Sequence, residues 1–251
     1  MQLGTARQEQ APCRNQARSE HFATLDAYPV SVVQNVNRIA GCSDSRRIGH
    51  QSTIDSPQRM RKSVAVYGGS FDPPHVSHVL AAAYALKVGG FDQVLVVPVF
   101  EHAFQKQLAP FAHRLRMCEL AFSGIHQVQV SALEQTLETP SRTLHTLEHL
   151  TAEHPDWALR LLIGSDVLLE APRWHAFDRI AALAPPYVVA RLGYPQTNDA
   201  VALLPDVSST RVREALARPE TPLHAALLAQ SLPSAVLAYI AEHGLYPALP
   251  T

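Results

Sequence analysis

Cysteine is scarce in this sequence. Cys13, Cys42 and Cys118 are odd in number and far apart, so they supply neither a disulfide framework nor a Cys-x-x-Cys metal site. That usage fits a reducing compartment, and a cytoplasmic protein is expected. An excess of charge of either sign is also missing. The 21 Lys and Arg against 22 Asp and Glu leave a formal net charge of −1. This argues against a polyanion-binding surface, and so against nucleic acid as the main partner, while leaving room for a local cationic site. No apolar run is long enough to cross a bilayer, and the polar stretch Met1–Gln10 is not followed by a signal-peptide core, so no membrane partner is expected. What is present is 251 residues, 47% of them apolar. That is enough for one sizeable domain and too apolar for wholesale disorder.

The chain divides into two unlike parts. Residues 1–61 are rich in Gln, Ser, Asn and Arg, and their apolar residues form one short patch, Val30–Ile39, with nothing to pack against. A largely disordered extension is expected there. Its Arg and Ser content also admits an organelle-targeting reading, opposed by Glu9, Glu20, Asp26, Asp44 and Asp55. A third reading is that the segment is foreign to the native protein, since Met60-Arg61-Lys62 would make a natural start. The catalytic domain is expected over 62–251.

From Ser63 onward, periodicity predicts strands at Ser63–Tyr67, Gln93–Val99, Gln127–Val130, Ala158–Ile163, Tyr187–Ala190 and Val201–Leu204. Helices are predicted at Val76–Val88, Phe111–Ser123, Arg142–His154, near Asp166–Glu170, at Trp174–Leu183 and from Arg211 onward. The strands are continuous apolar runs, the pattern of burial on both faces. Their alternation with helices predicts an α/β fold: three α/β/α layers around a parallel sheet with right-handed crossovers, plus a small C-terminal helical part.

The chemistry concentrates where the first strand meets the first helix, at Gly68-Gly69-Ser70-Phe71-Asp72-Pro73-Pro74-His75-Val76-Ser77-His78. Strand, glycine turn and helix N-terminus together present backbone N–H groups to phosphate, and glycine lets the ligand approach closely. Pro73 and Pro74 keep the helix from starting early. His75 and His78 lie one turn apart on one face at the helix's positive end, where a His can donate to a phosphoryl oxygen. A Gly-Gly turn alone is equally an ordinary connection. A zinc site from His75, His78, His102 and His113 is a further reading, without the His-Glu-x-x-His spacing or a nearby Cys. The second segment is Val207-Ser208-Ser209-Thr210-Arg211-Val212-Arg213. Its hydroxyls can cap a helix and its N–H groups can hold phosphate, with Arg213 adding a charge-assisted fork. By itself it also reads as a plain N-cap with two solvated arginines.

Gly68–His78 resembles the opening signature of the nucleotidyltransferase superfamily with a His-x-Gly-His motif, most of all the bacterial nicotinate-mononucleotide adenylyltransferases. Ser77 stands where Gly is usual. Ser208–Arg213 resembles that family's Ser-Ser-Thr-x-Ile-Arg, in the right order. Gly164-Ser165-Asp166 with Trp174 resembles its Gly-x-Asp…Trp segment, which lines the pyridine nucleotide; His175 stands where Tyr is frequent. Ser141-Arg142-Thr143 through Leu147 resembles Ser-Tyr-Thr-x-Asp-Thr-Leu, with Arg142 for Tyr and His145 for Asp. Arg191 to Tyr194 resembles Arg-Pro-Gly-Tyr, Arg114 with Met117 resembles Arg-x-x-Met, and Lys106 sits near a family lysine that approaches phosphates. The stretch Leu232–Tyr246 resembles the structural terminal helix, ended by Gly244.

The resemblance implies adenylyl transfer from ATP to nicotinate mononucleotide, with Mg²⁺ carried on the phosphates and no metal site made wholly of protein ligands. It implies catalytic roles for His75, His78 and Arg213. It assigns ATP to Gly68, Gly69, Ser70, Phe71, Lys106, Ser208, Ser209 and Thr210. It assigns the pyridine mononucleotide to Asp166, Trp174, His175, Thr143 and Arg191. Other acceptors within that chemistry are nicotinamide mononucleotide, phosphopantetheine and a cytidylyl acceptor. A nucleotide-binding regulator without activity is the alternative that Ser77, Arg142, His145 and His175 motivate.

Overall fold

The computed structural model describes residues 61–102, 107–167, 170, 173–194, 202–218 and 221–247. Apart from Arg61, the expected N-terminal extension lies outside them.

Six parallel strands form the sheet, in the order β3-β2-β1-β4-β5-β6. They are β1 (Lys62–Gly69), β2 (Gln93–Pro98), β3 (Val128–Val130), β4 (Trp157–Gly164), β5 (Pro186–Arg191) and β6 (Ala202–Leu204). Helices α1 (Val76–Lys87), α2 (Phe111–Phe122), α3 (Thr143–Glu153) and α4 (Phe177–Leu183) connect them, and α5 (Ser209–Leu216), α6 (Pro222–Ser231) and α7 (Ser234–Glu242) close the chain. The expected three-layer α/β class is therefore what forms.

Strand alternation sends successive side chains to opposite faces. Ala65, Tyr67, Val94, Val96 and Leu162 pack on one side with Ala81, Ala82 and Ala85 of α1, Met117 and Phe122 of α2, and Val236 of α7. Val64, Val66, Leu95, Val97, Leu161 and Ile163 pack on the other with Leu144, Leu147 and Leu150 of α3 and Ile180 of α4. Each fully buried aliphatic side chain contributes about 1.5–3 kcal/mol. Strand order turns back between β1 and β4, and in such sheets the crevice at the carboxyl ends of those strands takes the ligand.

The short helix expected near Asp166–Glu170 falls partly outside the described residues, which hold a helical-type bond from the Glu170 N–H to the Val167 carbonyl at 3.0 Å. One local expectation needs correction. The helix expected from Trp174 starts at Phe177, because Ala176 takes a left-handed conformation (φ 53°). A short 3-10 turn at Leu133–Gln135 was not anticipated. Among the described residues no helix is long and apolar enough to cross a membrane.

Arg114 is a charged residue placed in the core, at 2% exposure. Its Nε donates to the Ala109 carbonyl at 2.8 Å, and its terminal nitrogens donate to Ser70 at 3.0 Å, Val99 at 2.7 Å and Phe100 at 3.3 Å. It thereby ties the β1–α1 loop to the end of β2 and the entry to α2. Arg114→Met keeps the length and leaves those carbonyls without their donor. Denaturant unfolding is expected to show a loss of about 3 kcal/mol or more.

Candidate active site

Gly68, one residue before the end of β1, has nothing within 4 Å of where a Cβ would stand, so any side chain there would fill open cavity, whereas a Cβ on Gly69 would meet the Phe71 ring at 3.2 Å. The Phe71 ring is the loop's anchor. It is 2% exposed and packs edge-on to Tyr67 and Phe122 and against His78. Holding Phe71 in a left-handed conformation (φ 47°) requires such packing, since bulky residues rarely adopt it.

His75 is the N-cap of α1, with extended backbone. Its own N–H donates to Nδ1 of His78 at 3.1 Å, and the two rings stack at 3.8 Å between centroids. Accepting at Nδ1 places the proton of neutral His78 on Nε2. Nδ1 of His75 is buried without a hydrogen-bond partner. Burial, followed by the Arg191 charge, lowers the His75 pKa to about 3. Burial, His75 and Arg191 hold His78 well below its ordinary value too. Both rings are therefore neutral at neutral pH, each with one N–H to donate.

Arg191, at the end of β5, spans the crevice. It donates to Asp166 Oδ2 at 2.6 Å and to the Val207 carbonyl, while its buried Nε has no partner. Gly164 is required beneath this pair, because a Cβ there would sit 2.3 Å from Asp166 Oδ1. Opposite, Ser208 caps α5 by accepting the Arg211 N–H at 3.3 Å. Ser209 Oγ donates to the Pro73 carbonyl at 3.0 Å. Arg213 donates to the Asp72 carbonyl at 2.6 Å. The two phosphate-type segments are thus stitched to each other.

Two adjoining cavities result. One, of about 430 Å³, is lined by every expected pyridine-side residue (Thr143, Asp166, Trp174, His175, Arg191) and by Gly68, Gly69, Ser70, Phe71, His75 and His78. The other, of about 630 Å³, is lined by Ser208, Ser209, Thr210 and Arg213. The pair shares Ser70, Phe71, His75, His78, Asp166 and Arg191, so the histidines and Arg191 form a common floor. Lys106 lies outside the described residues. His113 does not join the other histidines; it bonds the Tyr239 hydroxyl at 2.9 Å, between α2 and α7. Among the described residues no group of three or more His, Cys, Asp or Glu could hold a metal.

Sequence reasoning missed Asp72 as a hub, although it lies inside the motif. Its carboxylate accepts from Ala109 and Tyr246 and faces Arg213. It also missed Glu134, a buried carboxylate that holds the cavity wall through the Phe100 N–H and the Thr146 hydroxyl.

A family model described as cytidylyltransferase-like matches residues 66–215. The chain belongs to that family. Among curated relatives in the family, a protein of Anaeromyxobacter sp. (strain K) named "Probable nicotinate-nucleotide adenylyltransferase" is 43% identical over 188 residues, 74% of this chain and 97% of its own length. One of the same name from Streptococcus pneumoniae serotype 4 is 33% identical, covering 75% and 91%. The Plasmodium falciparum nicotinic acid mononucleotide adenylyltransferase solved with NaAD has the same fold, at TM-score 0.64 and 19% identity over 74% of this chain and 98% of that one.

The lowered His75 pKa carries a stability consequence. In the unfolded chain the ring titrates near 6.5, in the fold near 3, so the unfolded state binds more protons between those values. The contribution is complete above about pH 6.5 and is lost as pH falls towards 3. Unfolding free energy of the ligand-free protein should drop by about 1.4 kcal/mol per pH unit for this group in that window. His75→Gln should flatten the slope, measured as denaturation midpoints from pH 7 to 5.

Proposed function

We propose that this chain transfers the adenylyl group of ATP to nicotinate mononucleotide, giving nicotinate adenine dinucleotide and pyrophosphate, a step of NAD biosynthesis. The observation that carries the reading is the pair of cavities sharing one floor of His75, His78 and Arg191. A reaction that joins two nucleotides needs two subsites meeting at the α-phosphorus, with donors at the junction. We assign the catalytic domain to residues 62–251.

The acceptor's phosphate attacks the α-phosphorus in line, and no protein nucleophile is needed. Alignment and charge stabilisation are what the enzyme supplies. Neutral His78 offers Nε2–H and His75 its partnerless ring nitrogen to the phosphoryl oxygens as charge develops. Ser209, Thr210 and Arg213 grip the departing pyrophosphate, with Lys106 as an auxiliary cation. Gly68 and Gly69 let the adenylyl moiety lie against the backbone. Trp174, with Thr143 and His175, receives the pyridine ring, and Asp166 keeps Oδ1 for a ribose hydroxyl while Oδ2 holds Arg191. Arg142 lines the Trp174 cavity, and its cation supports a carboxylate-bearing acceptor over the carboxamide.

Mg²⁺ fits as an ion carried by the nucleotide. Of the carboxylates lining the phosphate cavity, Asp72 is engaged by Tyr246, Asp166 by Arg191, and Glu170 is exposed, so the nucleotide's own phosphates would supply most of the ion's ligands. Carried beside Ser209, Thr210 and Arg213, it would neutralise charge on the leaving pyrophosphate.

Purified protein given ATP, Mg²⁺ and a panel of acceptors should release pyrophosphate fastest with nicotinate mononucleotide, ahead of nicotinamide mononucleotide and phosphopantetheine. Binding of ATP without release from any acceptor would favour a regulator. His78→Ala should lower kcat by about 10²-fold or more while ATP affinity changes far less. Near-normal turnover in that variant would refute its catalytic role.

A further inference from the structure

Tyr246 sits just past the end of α7, remote in sequence from every catalytic candidate. The chain reverses there through Gly244 (φ 57°), and Tyr246 itself is left-handed (φ 59°). A tyrosine held in that region costs about 1 kcal/mol or more, so some contact must over-determine it. The Leu245 N–H bonds the Ile240 carbonyl at 3.1 Å, and the Tyr246 hydroxyl donates to Asp72 Oδ1 at 2.7 Å. The Ala109 N–H donates to the same oxygen at 3.2 Å. The other oxygen, Oδ2, lies 3.8 Å from Arg213, and the Asp72 side chain is only 3% exposed.

The carboxylate is thus divided. Two neutral donors occupy Oδ1, and only Oδ2 faces the guanidinium, which also holds the Asp72 carbonyl at 2.6 Å. A buried carboxylate draws on whatever donors are within reach, because burial leaves its charge poorly screened. Arg213, with a third of its side chain exposed, lines the cavity of Ser209 and Thr210 and must keep charge available for a ligand. We propose that Tyr246 is a positioning residue for nucleotide binding: by occupying Asp72 Oδ1 it limits how far Asp72 neutralises Arg213, and so keeps the guanidinium directed at the phosphates. This rests on the reading that Arg213 faces the phosphates of ATP. Without the phenol, Asp72 would turn to Arg213 for its missing donor and draw it away from the ligand.

Calorimetric titration of the full chain with ATP and Mg²⁺ tests the idea without depending on the acceptor. Tyr246→Phe keeps the ring and its packing. It should weaken ATP binding about fivefold, the worth of one hydrogen bond, with nicotinate mononucleotide affinity unchanged. In an Arg213→Ala background the same change should have no effect, which a merely structural role for Tyr246 would not produce. The inference is overturned by unchanged ATP affinity in Tyr246→Phe, by an equal loss in both backgrounds, or by a matching loss for the mononucleotide. Wild-type protein that binds ATP yet releases no pyrophosphate would sink the transfer reading and leave these comparisons intact.

Discussion

A buried guanidinium and a buried carboxylate, Arg114 and Asp72, hold the loop on which the rest of the site is built. The segment between β1 and α1 has no ladder or helix of its own to satisfy its carbonyls. Arg114 takes the Ser70 carbonyl together with those of Val99, Phe100 and Ala109, and Asp72 takes the Ala109 N–H. Burial penalises the Arg114 charge and the Asp72 carboxylate opposes that penalty. With these bonds made, and with Asp72 also held by Tyr246, the loop has one arrangement. Phe71 adds the apolar anchor, and His75 then has a defined place from which to start α1.

From that loop the chemistry follows by exclusion of charge. His75, His78 and Arg191 converge. Burial foremost, and the Arg191 charge after it, holds His75 neutral, burial does the same for His78, and Asp166 pairs with Arg191 at 2.6 Å. An incoming polyphosphate reverses the balance by bringing several negative charges to the same floor. The protein is therefore arranged with uncommitted polar atoms, His75 Nδ1 and Arg191 Nε among them, at the place where two cavities meet. Preorganised donors of this kind stabilise developing charge without reorganising at the moment of transfer.

Local signals in the sequence carried much of this. Apolar runs placed the strands within a residue or two, because burial on both faces leaves an unbroken pattern. The spacing of His75 and His78 placed both rings on one helix face, and Ser208 caps α5 as its hydroxyl suggested. What was not legible comes from pairings across the chain. Asp72 meets Tyr246 across 174 positions and Arg213 across 141, and no periodicity encodes either. Nothing local in the sequence marks Arg114 for the core; the convergence of four carbonyls puts it there. The pairing of Asp166 with Arg191, 25 positions away, is of the same kind.

Ser77 shows how a departure from a family pattern is absorbed. In the place usually held by glycine, it brings a Cβ and a hydroxyl into a position 4% exposed that lines the Trp174 cavity. A buried hydroxyl with no partner would be a liability of about 1–3 kcal/mol. Ser77 Oγ instead donates to the Pro205 carbonyl at 3.1 Å, on the segment that leads from β6 into α5. This bond lies beside those from Ser209 to Pro73 and from Arg213 to Asp72, so the extra hydroxyl joins the seam between α1 and α5. The space that glycine would have left to the ligand is reduced by one small side chain whose polar atom is committed to the protein. Ser77 therefore reinforces the junction that joins the two motif segments, and the resemblance survives the substitution at the level of geometry.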